Sequence, residues 1–155
     1  MEAYLIATAC TKFEKKADQT FKSLTEEVYC DLLKSAKVEN GNMIGQAWFG
    51  NCGMGTFGQN NIRGQVCFTP LVQKKLFPER VGIINVEGGC ATGSMAFHGA
   101  WKDVISGTED VSLAIGVEKI YQPNQPEKIQ EIYDGGIDQF DRNDWLEFYE
   151  SIGNE

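Results

Sequence analysis

One stretch, "VGIINVEGGCATGSMAFHGAW" at residues 81–101, constrains the fold more than any other. Apolar strand formers (81–86) run into Gly88-Gly89-Cys90, and small helix-compatible residues follow up to Gly107. The pattern predicts a buried strand, a sharp turn and a helix over 90–106, with the cysteine in the first helical turn. The first amides of a helix have no partner within it, and the macrodipole places partial positive charge there. A sulfur at that position is favoured as thiolate over thiol, which makes it a better nucleophile. The same amides can donate to an oxyanion formed when the sulfur attacks a carbonyl. Gly88 and Gly89 permit the turn, and Gly93 keeps the first helical turn thin enough for a substrate to approach. The bland alternative is that Cys90 is a small buried hydrophobe, as free cysteines often are.

The remaining chain supplies further strand–helix alternation. A short apolar run at 4–9 predicts a buried strand, and Ser23-Leu24-Thr25-Glu26 has the form of a capping box opening a helix over 23–37. A strand is expected at 46–50, then the glycine-rich loop "GNCGMGTFGQNN" and a helix over 60–76 bent near Pro70. A last strand is expected at 111–116. This order implies an α/β fold with a mostly parallel sheet. After Lys119 the chain turns acidic and proline-interrupted. Trp145, Phe148, Tyr149 and Ile152 there form one apolar helical face, capped by Asn143.

The 155 residues fit one domain, and an apolar fraction of 42% supports a packed core. A net charge of -8 argues against nucleic acid or anionic lipid as the main partner. No apolar run approaches the roughly 18 residues of a membrane span, and the first residues do not read as a signal peptide. The five cysteines include no C-x-x-C, so neither a zinc ribbon nor a thioredoxin-type site is expected, and no metal is assigned. A cytoplasmic protein with reduced thiols is the simplest expectation. Cys10, Cys30 and Cys67 are expected in the core, and Cys52 lies in the glycine-rich loop.

The segment 85–120 resembles the nucleophile region of thiolases, above all the sterol-carrier-protein type and its relatives that work with a separate acyl-CoA-binding protein. The residues carrying the resemblance are Val86, Glu87, Cys90, Ala91, Thr92 and Gly93, then Ser106-Gly107, Glu109-Asp110 and Gly116-Val117-Glu118-Lys119-Ile120. Upstream, "FGNCGMGTFGQNNIRG", with Gln59 and Gly64, is similar to the loop and helix start before the nucleophile. The likeness spans about the first 120 residues. It implies the N-terminal βαβαβαβ half of a thiolase-like fold, a mixed, mostly parallel sheet around a buried nucleophile-bearing helix. On that reading, residues 1–120 form the half-domain and 121–155 begin the substrate-covering segment. Cys90 would be the acyl acceptor, within a nucleophile turn formed by Gly89, Ala91 and Gly93, and its own amide would contribute to the oxyanion hole.

The resemblance also implies groups that this sequence lacks: an activating histidine and a second cysteine, both in the family's C-terminal half. The single histidine, His98, lies eight residues beyond Cys90 on the same predicted helix, about 12 Å along its axis and too far to be its base. A complementing thiolase C-terminal half is therefore expected, with the isolated chain inactive. Further expectations are a homo-oligomer (dimer or larger), an acyl-CoA substrate, coenzyme A as co-substrate rather than a bound cofactor, and possibly a small acyl-CoA-binding partner protein. The reaction implied is thiolytic cleavage of 3-oxoacyl-CoA or the reverse Claisen condensation. Two alternatives stay open: a related condensing enzyme of the ketoacyl synthase or hydroxymethylglutaryl-CoA synthase type, and a non-catalytic scaffold subunit of a thiolase complex.

Overall fold

The computed structural model describes residues 2–153. Three parallel strands, β1 (Gln46–Gly50), β2 (Gly82–Val86) and β3 (Ser112–Gly116), form a sheet in the order β2-β1-β3. In register, Gly50 stands opposite both Val86 and Gly116, so the three strands end together. Two helices, α1 (Phe21–Ala36) and α2 (Arg63–Gln73), pack against one sheet face, and α3 (Thr92–Ser106) packs against the other. The α/β class and the parallel pairing follow the sequence expectation.

The two faces of β1 are divided by its alternating residues. Ala47 and Phe49 point into a core with Tyr29 of α1 and Cys67, Phe68 and Leu71 of α2, all nearly inaccessible. Phe68 sits at its centre, with ring centroids 6.0 Å from Tyr29, 6.2 Å from Phe49 and 4.5 Å from Phe77, each pair edge to face. On the opposite face, Trp48 lies over Gly99 of α3, where an added Cβ would come within 2.3 Å of the indole. The Trp48 indole N–H donates to Asp103 (2.7 Å), and the Ser112 hydroxyl donates to the same carboxylate (2.8 Å). One acid thus pins α3 to β1 and β3. The start of α2 is tied to β2: the Gly64 N–H donates to Asn85 Oδ1 (2.6 Å) and the Gln65 amide to Ile83 O (2.9 Å).

Several expectations are corrected. No strand forms at 4–9: Tyr4, Leu5 and Ile6 are exposed, because no strand among the described residues offers them a ladder. Cys10 is exposed with them, Cys30 is half-buried, and only Cys67 of the three lies in the core. The described sheet therefore has three strands rather than four, all parallel rather than mixed. The strand expected to be covered on both faces is instead an edge strand, with Ile84 exposed. The capping box of α1 is formed by Thr20 and Ser23, not by Ser23 and Glu26. Thr20 is the extended residue at the boundary (ψ 168°), and Ser23, the third residue of the helix, is its partner. Pro70 is accommodated inside α2. The helix bearing the nucleophile motif is not fully buried: Ala96, Gly99 and Ala100 face the sheet, whereas Met95, Phe97 and Trp101 are exposed.

Beyond β3, α4 (Lys128–Asp134), unforeseen in the sequence, rests on the turn at 53–57. The terminal helix, α5 (Arg142–Gly153), contains Asn143 instead of being capped by it. Its Phe148, Tyr149 and Ile152 are exposed, while Trp145 stacks on Tyr149 at 4.5 Å. Among the described residues no helix is long and apolar enough to cross a membrane.

Phe68→Ala should lower unfolding stability by about 3–5 kcal/mol, the cost of truncating a central aromatic residue. Denaturant titration measures this, and a change below about 1 kcal/mol would contradict the central place of Phe68.

Candidate active site

Cys90 lies where the sequence expectation put it, between a strand and a helix, but not within the helix. It occupies a single 3₁₀ turn, Gly89–Ala91, between the end of β2 and Thr92, the first residue of α3. Gly89 takes a left-handed conformation (φ 57°), costly for any residue with a Cβ. Cys90 is exposed. Gly93 follows in the first turn of α3, with open space where a side chain would stand, and lines a groove of about 200 Å³ with Phe97 and Gly116.

The turn amides are unequally engaged. The Gly89 N–H donates to the Glu87 carboxylate (2.7 Å), and the Ala91 N–H donates to Gly88 O (3.0 Å). The Cys90 N–H has no hydrogen-bond acceptor among the described residues. Of the turn residues singled out in the sequence, Gly89 and Ala91 thus have their amides occupied by the turn itself. The amide of Cys90 remains available.

Thr92 organises the turn. Its hydroxyl accepts from the Gly88 N–H (2.9 Å) and donates to Gly89 O (2.7 Å). The Thr92 N–H also reaches Gly89 O. Cys52, from the glycine-rich loop, adds a further contact, with Sγ 3.1 Å from Gly89 O and 3.0 Å from Thr92 Oγ1. The single hydroxyl proton of Thr92 and the single thiol proton of Cys52 are both directed to Gly89 O, which brings the sulfur and the hydroxyl oxygen side by side. Burial pushes the Cys52 thiol up, the adjacent Thr92 hydroxyl, which can turn toward a thiolate, opposes this, and the nearby Glu118 and Glu87 carboxylates raise it further. Cys52 is accordingly a neutral S–H group in this setting. The resemblance places its glycine-rich loop near the active site or a dimer contact, but spacing alone does not indicate contact with the Gly89–Cys90 peptide.

Glu118, just past β3, holds the Cys52 loop. Its carboxylate accepts from the Cys52 N–H (2.9 Å), the Gly53 N–H (3.1 Å) and the Asn51 side-chain amide (3.2 Å). Asn51 is buried. Its side chain also donates to Val117 O (2.7 Å) and accepts from the Met54 N–H (3.0 Å). Arg63, at the start of α2, donates to Asn51 O (2.6 Å). Ends of all three strands are therefore joined by one polar network that reaches the Gly89–Cys90 peptide.

His98 sits on the exposed side of α3 and stacks on Trp101, ring centroids 5.4 Å apart and 16° from parallel. It makes no hydrogen bond to the turn among the described residues, in keeping with the separation from Cys90 expected from its spacing.

Residues 3–144 match the family model described as "Thiolase, N-terminal domain". The chain is 32% identical over 117 residues to the benzoylsuccinyl-CoA thiolase subunit BbsB of Thauera aromatica, covering 76% of this chain and 28% of that protein. It is likewise 32% identical over 117 residues to an acetyl-CoA acetyltransferase of Methanocaldococcus jannaschii, covering 75% of this chain and 28% of that protein. The aligned region thus spans less than a third of the length of these curated relatives. A three-stranded parallel sheet with a strand–turn–helix cysteine, together with a family match over most of the chain, places the protein in the thiolase family, to whose N-terminal domain it corresponds.

Proposed function

We propose that this chain supplies the acyl-accepting cysteine of an acyl-CoA thiolase, with Cys90 as the nucleophile. The observation that carries this reading is the exposed Cys90 on the turn before α3, its own amide unengaged beside the sulfur. In the degradative direction, the Cys90 sulfur attacks the 3-oxo carbon of a 3-oxoacyl-CoA. The bond between C2 and C3 then breaks, its electrons take up a proton at C2, and the C1–C2 fragment departs as acetyl-CoA. The acyl group left on Cys90 as a thioester passes to the sulfur of coenzyme A, which restores the free thiol. Reversal of these steps is the Claisen condensation. The Cys90 N–H can donate to the oxyanion formed at the attacked carbonyl.

The base for Cys90 and the acid–base group for C2 come, on this reading, from a thiolase C-terminal half outside these residues. Support comes from His98, which is stacked on Trp101 with its ring away from the turn's hydrogen bonds. Exposed Met95, Phe97 and Trp101 along α3, and the exposed edge residue Ile84, fit a chain that works within a larger assembly, a homo-oligomer joined to that half. Residues 1–120 then act as the half-domain and 121–155 as the beginning of the segment over the substrate. The setting is the cytoplasm. Coenzyme A enters as a substrate and not as a resident cofactor.

Two measurements test the reading. In the assembled complex with acetoacetyl-CoA, rapid quenching and peptide mass spectrometry should find an acetyl group on Cys90. Cys90→Ala should lower turnover by about a thousandfold or more, as nucleophile removal does elsewhere. An acetyl group on another residue, or turnover surviving the substitution, would overturn it. Graded iodoacetamide labelling at neutral pH should modify exposed Cys90 ahead of Cys52 and Cys67, whose thiols burial pushes up, so that both need more alkaline solution to react. Labelling of Cys67 or Cys52 before Cys90 would contradict that order.

A further inference from the structure

Three donors converge on one carbonyl oxygen: the Thr92 hydroxyl (2.7 Å), the Thr92 N–H and the Cys52 thiol (3.1 Å) all meet Gly89 O. That oxygen belongs to the peptide whose nitrogen is that of Cys90. A trans peptide is planar, with C=O and N–H pointing in opposite directions, and the described chain contains no cis bond. Holding the Gly89 oxygen therefore aims the Cys90 N–H, away from Cys52 and Thr92. Glycine at 89 permits the left-handed turn but leaves the peptide free to rotate, so an external clamp is needed to hold the direction.

We infer that Cys52 and Thr92 are positioning residues which lock the Gly89–Cys90 peptide so that the Cys90 amide is preorganised to receive an oxyanion. The inference rests on the reading of Cys90 as an acyl acceptor. Cys52 acts as a hydrogen-bond donor, not as a second nucleophile or proton carrier. Its place depends on Glu118, which grips the Cys52 and Gly53 amides from the end of β3. An amide aimed in advance loses no free energy to reorientation as charge develops on the attacked carbonyl. The clamp thus affects acyl transfer specifically. Alkylation by iodoacetamide generates no oxyanion and does not call on it.

The test compares Cys52→Ala, Cys52→Ser, Thr92→Val and Thr92→Ser in the assembled complex, using acetoacetyl-CoA with coenzyme A for turnover and iodoacetamide for Cys90 reactivity. Cys52→Ala should lower kcat by about 3- to 10-fold, the worth of one modest hydrogen bond, with KM for acetoacetyl-CoA unchanged. Thr92→Val removes a donor and an acceptor and should lower kcat further. The serine variants, which keep a donor at each place, should recover most of the activity. Alkylation of Cys90 should proceed at the wild-type rate in all four. Unchanged kcat in Cys52→Ala and Thr92→Val would overturn the clamp, as would a parallel loss of alkylation and turnover not rescued by serine, the mark of a turn that has merely become disordered. A wild-type complex that forms no acetyl-Cys90 would overturn the acyltransferase reading itself, and the clamp with it.

Discussion

The site depends on one constraint, the common register of three parallel strands. Gly50, Val86 and Gly116 are level, so the chain leaves the sheet three times at the same edge. Parallel strands place their C-terminal ends together, and helices starting there direct their free amides toward that edge. Asn51, Glu87 and Glu118 are the first polar residues after the strands: Asn51 donates to Val117 O, Glu87 accepts from the Gly89 N–H of its own turn, and Glu118 accepts from the Cys52 N–H. A shift of one residue in any strand would carry these groups to the opposite face and dissolve the network.

Electrostatics at this edge are settled by pairing rather than by net charge. The protein is acidic overall, and two carboxylates stand close to the Cys90 turn. Each is occupied by backbone amides: Glu87 by Gly89, Glu118 by Cys52 and Gly53. Charge-assisted bonds of this kind are stronger than neutral ones and fix loop geometry. Two cysteines only a turn apart in space consequently differ in character. Cys52 is half-buried, hydrogen-bonded and pushed toward the neutral thiol, whereas Cys90 is exposed on a turn whose own amide stays unpaired.

Packing divides α3 into two halves with different roles. Ala96, Gly99 and Ala100 let the helix lie close on Trp48 and the sheet, and Asp103 locks that contact through two hydrogen bonds. Met95, Phe97 and Trp101 turn the other way into solvent. Apolar side chains on the face turned from the sheet, beside the polar Ser94, His98 and Lys102, give α3 a second surface suited to cover. The same holds at residues 4–6, where strand-forming side chains stand exposed without a ladder.

The sequence by itself determined the parts governed by local spacing. The strand at 46–50, the helix ending before Gly107 and the turn at Cys90 were legible because alternation, glycine placement and small residues act within a few positions. The aromatic face of α5 was legible for the same reason, but its cap was not, since neighbouring polar residues compete for that place. Burial was misjudged wherever it depends on a distant neighbour: Val81 to Val86 has the composition of a central strand, yet its position in the sheet order makes it an edge. Residues 4–9 show the converse, strand propensity without a partner to express it. Only the tertiary structure decided that Cys52 meets Gly89 O beside Thr92 and that Glu118 holds the Cys52 loop. Those contacts join residues up to 66 positions apart, and no spacing rule reaches so far; strand register, a property of the folded sheet, brings them together.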